Sequence, residues 1–151
     1  MVKIYAFQDD IQERDGVIMD NIPGYTEYLD LNHRYYIVIA LKKELESNIY
    51  DCHFFDEKGD IKDGFDGFWF DEKLYLLLEK YLFNFISAEC DLIIHMYEEE
   101  YAEPEILPHI LEIIDRMVNN CDNEEVLKPA KEFRKLVEKA IELNTVVGFC
   151  F

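Results

Sequence analysis

Apolar residues follow two rhythms along this chain, and the change between them predicts the architecture. Before residue 71 they come in short runs separated by turn formers. Val2 to Phe7 is a brief apolar run that ends in Gln8-Asp9-Asp10, the pattern of a first strand. Tyr35 to Leu41 is β-branched and aromatic without a single charge, which predicts a strand buried on both faces. Ile49 to Phe55 and Phe65 to Phe70 flank the turn-rich Asp56-Glu57-Lys58-Gly59-Asp60, so a hairpin or two neighbouring strands is expected there.

From Asp71 onward the spacing is helical. Leu74, Leu78, Tyr81, Leu82, Phe85 and Ile86 recur every three or four residues, and Cys90, Ile93, Ile94, Tyr97 and Tyr101 extend the pattern. One long helix fits, as do two broken near Ser87 to Asp91, and Asp91 to Tyr97 also reads as a strand. Ile106, Ile110, Ile113, Ile114 and Met117 mark an amphipathic helix that starts near Pro104 or Pro108. Asp122 stands three residues before Glu125, the spacing of a capping box, and Pro129 is expected to delay the regular part of the helix that follows. That helix carries Phe133, Leu136, Val137, Ala140 and Ile141 on one face and Lys128, Lys131, Arg134, Lys135 and Lys139 on the other. Asn144 ends it, and Thr145 to Phe151 reads as a closing strand paired with the amino-terminal sheet. With no repeat, low-complexity tract or linker, residues 1–151 are expected to form a single α+β domain. Its sheet is mainly antiparallel, built from the amino-terminal half and the closing strand, and packs against three to four helices from residues 72–144.

Composition supports a folded core and narrows the choice of partner. Of the 151 residues, 50% are hydrophobic and 15% aromatic, which separates the chain from disordered sequences of similar charge. Thirty-three acids against 15 bases give a net charge of -18. Lys and Arg displace the counterions condensed on phosphate, so this balance argues against nucleic acid and against anionic membrane surfaces. It favours a basic protein, because complementary fields speed encounter. Residues 51–100 hold 14 acids and 4 bases, and so form the electrostatic pole of the chain.

Met1 to Asp10 lacks the basic and apolar regions of a secretion signal, and the apolar stretch Leu74 to Ile94 is interrupted by Glu79, Lys80, Asn84, Glu89 and Asp91. A cytoplasmic protein is expected. Cys52, Cys90, Cys121 and Cys150 lie far apart with no C-x-x-C pair, which suits free thiols in a reducing compartment.

The most informative segment is the acidic one. Asp56, Glu57, Asp60, Asp63, Asp66, Asp71 and Glu72 are interleaved with Phe65, Phe68, Trp69 and Phe70. Rings that fill pockets, ringed by carboxylates that steer Lys and Arg, suit a docking face for a basic partner; the competing reading turns the rings inward and leaves the acids as a solvated rim. Asp56, Glu57, Asp60, Asp63, Asp66, Trp69, Asp71 and Glu72 are the expected partner-binding residues. An EF-hand reading fails, because counting from Asp56 places Lys58, Ile61 and Gly67 where an oxygen ligand, glycine and glutamate belong.

Asp91, His95 and Glu99 are four apart and would share a helix face, where they could serve a metal-assisted hydrolase. No H-E-x-x-H accompanies them, and a solvated acidic helix end is the simpler account. Ser47 and Ser87 lie outside any G-x-S-x-G, Cys52 and His53 are adjacent, and the six glycines form no phosphate-binding loop. No enzyme, cofactor or metal is expected.

A small, very acidic, aromatic-rich domain without a catalytic motif resembles the immunity proteins that neutralise bacterial toxins. The resemblance rests on size, charge and the segment Asp51 to Glu72. It implies one-to-one binding to a basic toxin, above all a nuclease, with carboxylates standing where nucleic-acid phosphates would lie. A nucleic-acid mimic acting on a defence nuclease would use the same electrostatics, and a scaffold or homo-oligomer subunit is the remaining binding class.

Overall fold

The computed structural model describes residues 11–14, 17–20 and 33–151. The strand expected at Val2 to Phe7 lies outside them. Ile11–Arg14 (β1) and Val17–Asp20 (β2) pair antiparallel as a two-stranded sheet of their own, with Ile11 opposite Asp20. The main sheet contains Tyr35–Ala40 (β3), Phe65–Phe70 (β4), Glu99–Ala102 (β5) and Val147–Cys150 (β6) in the order β4-β3-β6-β5, every pair antiparallel. The closing strand thus pairs with β3 from the amino-terminal half, as expected, and with β5 on its other side. All six residues of β3 are buried, the outcome expected of an uncharged run with cover on both sides.

The alternation of β3 divides the core. Tyr35, Ile37 and Ile39 face the helices together with Phe70, Phe149 and Phe151. Tyr36, Val38 and Ala40 face a thinner layer containing Ile49, Phe54, Phe65, Val146 and Cys150. That thinner layer corrects one expectation: Ile49 to Phe55 is not a strand. Glu46–Tyr50 forms a short helix, α1, after a 3-10 turn at Lys43–Leu45, and its Ile49 is fully buried against the sheet. Leu45 and Ile49 are four apart, so one helical turn puts both on the sheet. Gly148 permits the approach, since a Cβ there would come within 2.6 Å of Ile49 Cγ2. Phe65 to Phe70 is the strand expected, but it pairs with β3, and Phe55 makes only an isolated bridge to Ile61.

On the other face Glu72–Leu78 (α2) continues through a π-helical turn, Glu79–Phe83, into Asn84–Cys90 (α3). The helix stops there, and Asp91 to Tyr97 is neither helix nor strand. Asp91 turns left-handed at φ 55°, the Leu92 N–H bonds the Ser87 carbonyl, and Ser87 Oγ and Glu100 Oε2 accept the N–H groups of Ile94 and Ile93. With these donors taken by side chains and a cap, neither helix nor ladder can continue. The chain then enters β5, an edge strand.

Leu107–Asn120 (α4) follows a 3-10 turn at Pro104–Ile106, and Glu124–Leu143 (α5) runs unbroken through Pro129, which removes only one N–H near its start. Its cap is Asn123, whose side chain accepts the Glu125 N–H at 3.0 Å, and not the expected Asp122 box. Asn144 ends α5 in the left-handed region, as expected. Helices α2 to α5 bury their stripes on the odd face of β3 around Phe83, Phe133, Ile110 and Val137. The result is an α+β fold. Among the described residues no helix is long and apolar enough to cross a membrane.

Candidate functional site

The layer opposite the helices is finished by the loop between α1 and β4, and this loop is stitched down by polar groups. Asp56 organises its tip: one side-chain oxygen accepts the N–H groups of Lys58 and Asp60 at 2.8 and 3.0 Å, and backbone bonds join Asp56 to Gly59 and Asp60. Gly59 adopts φ +83°, a conformation that side chains rarely take. Its carbonyl accepts from Arg34 Nη1 at 2.8 Å and from the Tyr36 hydroxyl at 2.5 Å. Phe55 stacks on Tyr36 with ring centres 5.4 Å apart.

Arg34 is the hinge-pin of the arrangement. Besides Gly59 it reaches Asp60 at 3.5 Å, and its guanidinium lies 4.1 Å above the Trp69 ring on the neighbouring strand. Trp69 is 44% exposed and Phe55 38%, so two large rings reach solvent beside the acidic loop. The hydrogen bonds and the stacked cation fix the loop's path before any partner arrives.

The eight residues expected to bind a partner are sorted by this geometry into two sets. Asp56, Glu57, Asp60 and Asp63 are exposed on the loop, and Trp69 stands beside them under Arg34. Asp66 belongs to the other face: it is paired with Ile39 across the ladder, accepts the Gly67 N–H at 2.8 Å and holds Lys139 of α5 at 2.9 Å. Asp71 caps α2 by accepting the Leu74 N–H at 3.0 Å. Glu72 is fully buried and accepts from the Tyr35 hydroxyl at 2.8 Å, which leaves it no surface to offer. Of the aromatics in the segment, Phe65 and Phe70 are core residues and Phe68 packs against the core.

Arg34, Tyr36 and Phe55 are the contributors that sequence reasoning misses. Arg34 sits next to the start of an apolar strand, and nothing in linear spacing sends it to Gly59 and Trp69. The adjacent edge of the molecule carries further acid. Tyr50 donates to Glu103 at 3.0 Å and Tyr101 donates to Glu99 at 3.1 Å, with the two rings 4.6 Å apart. Burial, then the bond to Glu103, pushes the Tyr50 hydroxyl up to about 12, so it remains a donor throughout the neutral range.

The spacing argument for Asp91, His95 and Glu99 lapses because the helix that would align them ends at Cys90. His95 Nδ1 lies 3.1 Å from Glu79 and 3.3 Å from the Tyr75 hydroxyl, which itself bonds Glu79. Glu99 is a strand residue engaged with Tyr101. Among the described residues no three His, Cys, Asp or Glu side chains gather as a metal-ion site. The basic face of α5 is largely matched in place: Arg134 pairs with Asp115 at 2.6 Å and Glu138 at 2.5 Å, Lys135 with Glu132 at 3.6 Å, and Lys139 with Asp66.

Compared with protein-family models, curated proteins and solved structures, the chain matches none of them.

Proposed function

We propose that the chain is an acidic protein-binding inhibitor, an immunity protein that neutralises a basic toxin, most naturally a nuclease, by covering its active site or substrate groove. The observation that carries this reading is the loop itself. Asp56, Glu57, Asp60 and Asp63 are exposed on one short, pre-shaped segment flanked by the exposed rings of Phe55 and Trp69. A fixed loop loses little conformational freedom on binding, and carboxylates around aromatic anchors suit a surface studded with Lys and Arg. The net charge of -18 adds long-range attraction for such a partner. Asp66, Asp71 and Glu72 fall outside the proposed face by position: Asp66 lies on the helix side with Lys139, Asp71 caps α2, and Glu72 is fully buried.

The test brings together the full chain and the protein encoded next to its gene. A one-to-one complex is expected, with nuclease activity suppressed and association slowed roughly tenfold as salt rises from about 50 to 500 mM. Asp60→Lys with Asp63→Lys should slow association by a similar factor and change dissociation much less. Failure of the neighbour's product to bind, or binding indifferent to both salt and these reversals, overturns the proposal.

A further inference from the structure

Two thiols 98 positions apart in sequence meet where the acidic loop leaves α1. Cys52 Sγ lies 3.4 Å from Cys150 Sγ, and neither belongs to a disulfide. Cys150 is buried on the loop side of β6, while Cys52 is half-buried at the end of α1. The backbone at Cys52 is the informative part. The His53 N–H bonds the Asn48 carbonyl at 2.8 Å and the Cys52 N–H bonds the Ile49 carbonyl at 3.2 Å, the paired bonds of a Schellman cap. Cys52 occupies its left-handed position at φ 56°, where glycine is favoured and any Cβ is strained. A cysteine is therefore held at a site that disfavours side chains, with its sulfur against a second cysteine.

The geometry points to Cys52 and Cys150 as a disulfide-forming pair, a redox latch that fastens the base of the acidic loop to β6. The inference does not depend on the partner reading. The oxidant belongs to the class of small disulfides, with glutathione disulfide as the probe. The accessible Cys52, as thiolate, attacks one sulfur of glutathione disulfide, whose S–S bond breaks to release one glutathione thiolate. Cys150 then attacks Cys52 Sγ in the mixed disulfide and expels the second glutathione. Two protein thiols are oxidised to one disulfide, one glutathione disulfide is reduced to two thiols, and the two protons pass from the protein to the departing thiolates. Closure brings the sulfurs from 3.4 Å to a bond of about 2.05 Å, a movement within reach of side-chain rotation.

Reactivity should be slow. Burial raises both thiols, and Glu99 nearby opposes thiolate formation at each. Cys90, in contrast, is packed in the helix-side core, and Cys121 accepts the Asn123 N–H at the end of α4.

The full chain is incubated with glutathione disulfide, remaining thiols are alkylated, and disulfide-linked peptides are mapped by mass spectrometry. One bridge is expected, joining Cys52 to Cys150, with Cys90 and Cys121 alkylated. Closing a loop of this length should raise Tm on the order of 10 °C, reversibly with dithiothreitol. Cys52→Gly, which suits the left-handed backbone, should stay folded and show no oxidation-dependent rise. Four alkylatable thiols after prolonged oxidation, or a bridge mapped to another pair, overturns the inference, and the wild-type map decides this even if the variant fails to fold.

Discussion

The two faces of the central sheet are covered by different means. On one side four helical segments lay apolar stripes over Tyr35, Ile37 and Ile39, and the rings of Phe70, Tyr75, Phe83, Phe133, Phe149 and Phe151 interlock at centre distances of 5.5 to 6.3 Å. On the other side one short helix and a loop cover Tyr36, Val38 and Ala40, and the loop is held by bonds from Arg34 and Tyr36 to a single carbonyl. Apolar burial holds the first face and directional polar contacts position the second. A surface built the second way can carry a dense row of carboxylates, because its shape does not require them to be desolvated. Stability should therefore reside on the helix face and recognition on the loop face.

The largest effect expected from breaking this division is on the helix side. Phe83 is fully buried and in ring contact with Phe70, Tyr75, Phe133, Phe149 and Phe151. Phe83→Ala should cost about 3–5 kcal/mol in a urea melt, since the transfer loss and the cavity add. A loss under about 1 kcal/mol would mean that the helix layer is not where the stability resides.

Adjacent residues of β3 give a sharper version of the comparison. Tyr35 and Tyr36 point to opposite faces, and each donates one hydroxyl hydrogen bond. Tyr35→Phe removes a donor from the carboxyl of Glu72, which is wholly out of water, and should cost about 2 kcal/mol. Tyr36→Phe should cost about 1 kcal/mol or less, because the Gly59 carbonyl keeps its bond from Arg34. Paired urea melts of the two variants read the difference directly, and a reversed order would overturn the assignment of the faces.

How much of this was legible in the sequence follows from where local pattern and tertiary context agree. Tyr35 to Ala40 was readable because an uncharged β-branched run has few other stable settings. Helices α4 and α5 were readable because their apolar stripes persist for several turns. Helix α1 was not, since five residues hold too little periodicity to separate Ile49 from a strand residue. Strand β5 was hidden behind Glu99 and Glu100, charges that an edge strand tolerates and an inner strand does not. At the site, the exposed acids of the loop were readable as a cluster, but linear order could not show that the cluster ends at Asp63. Asp71 did carry a usable signal: an Asp immediately before the first helical position is a cap, three residues ahead of the N–H it receives. Nothing comparable marks Glu72 as buried, because its donor, Tyr35, is 37 positions away.

The smallest effect tests whether charge alone or position decides a role in binding. Asp66 and Asp60 have the same side chain and lie six positions apart, yet Asp66 is on the helix face with Lys139 at 2.9 Å, whereas Asp60 is on the loop beside Arg34. The Asp66–Lys139 pair is close to half exposed on both sides, so solvent screens it and Asp66→Asn should change stability by no more than about 0.5 kcal/mol. If recognition depended only on net charge, Asp66→Asn and Asp60→Asn would slow association with a basic partner equally. The geometry predicts otherwise: Asp60→Asn slows it about twofold, and Asp66→Asn leaves it within error when both are measured side by side at low salt. Equal slowing by both would show that the partner senses the field of the whole molecule and that the loop has no privileged part in the encounter.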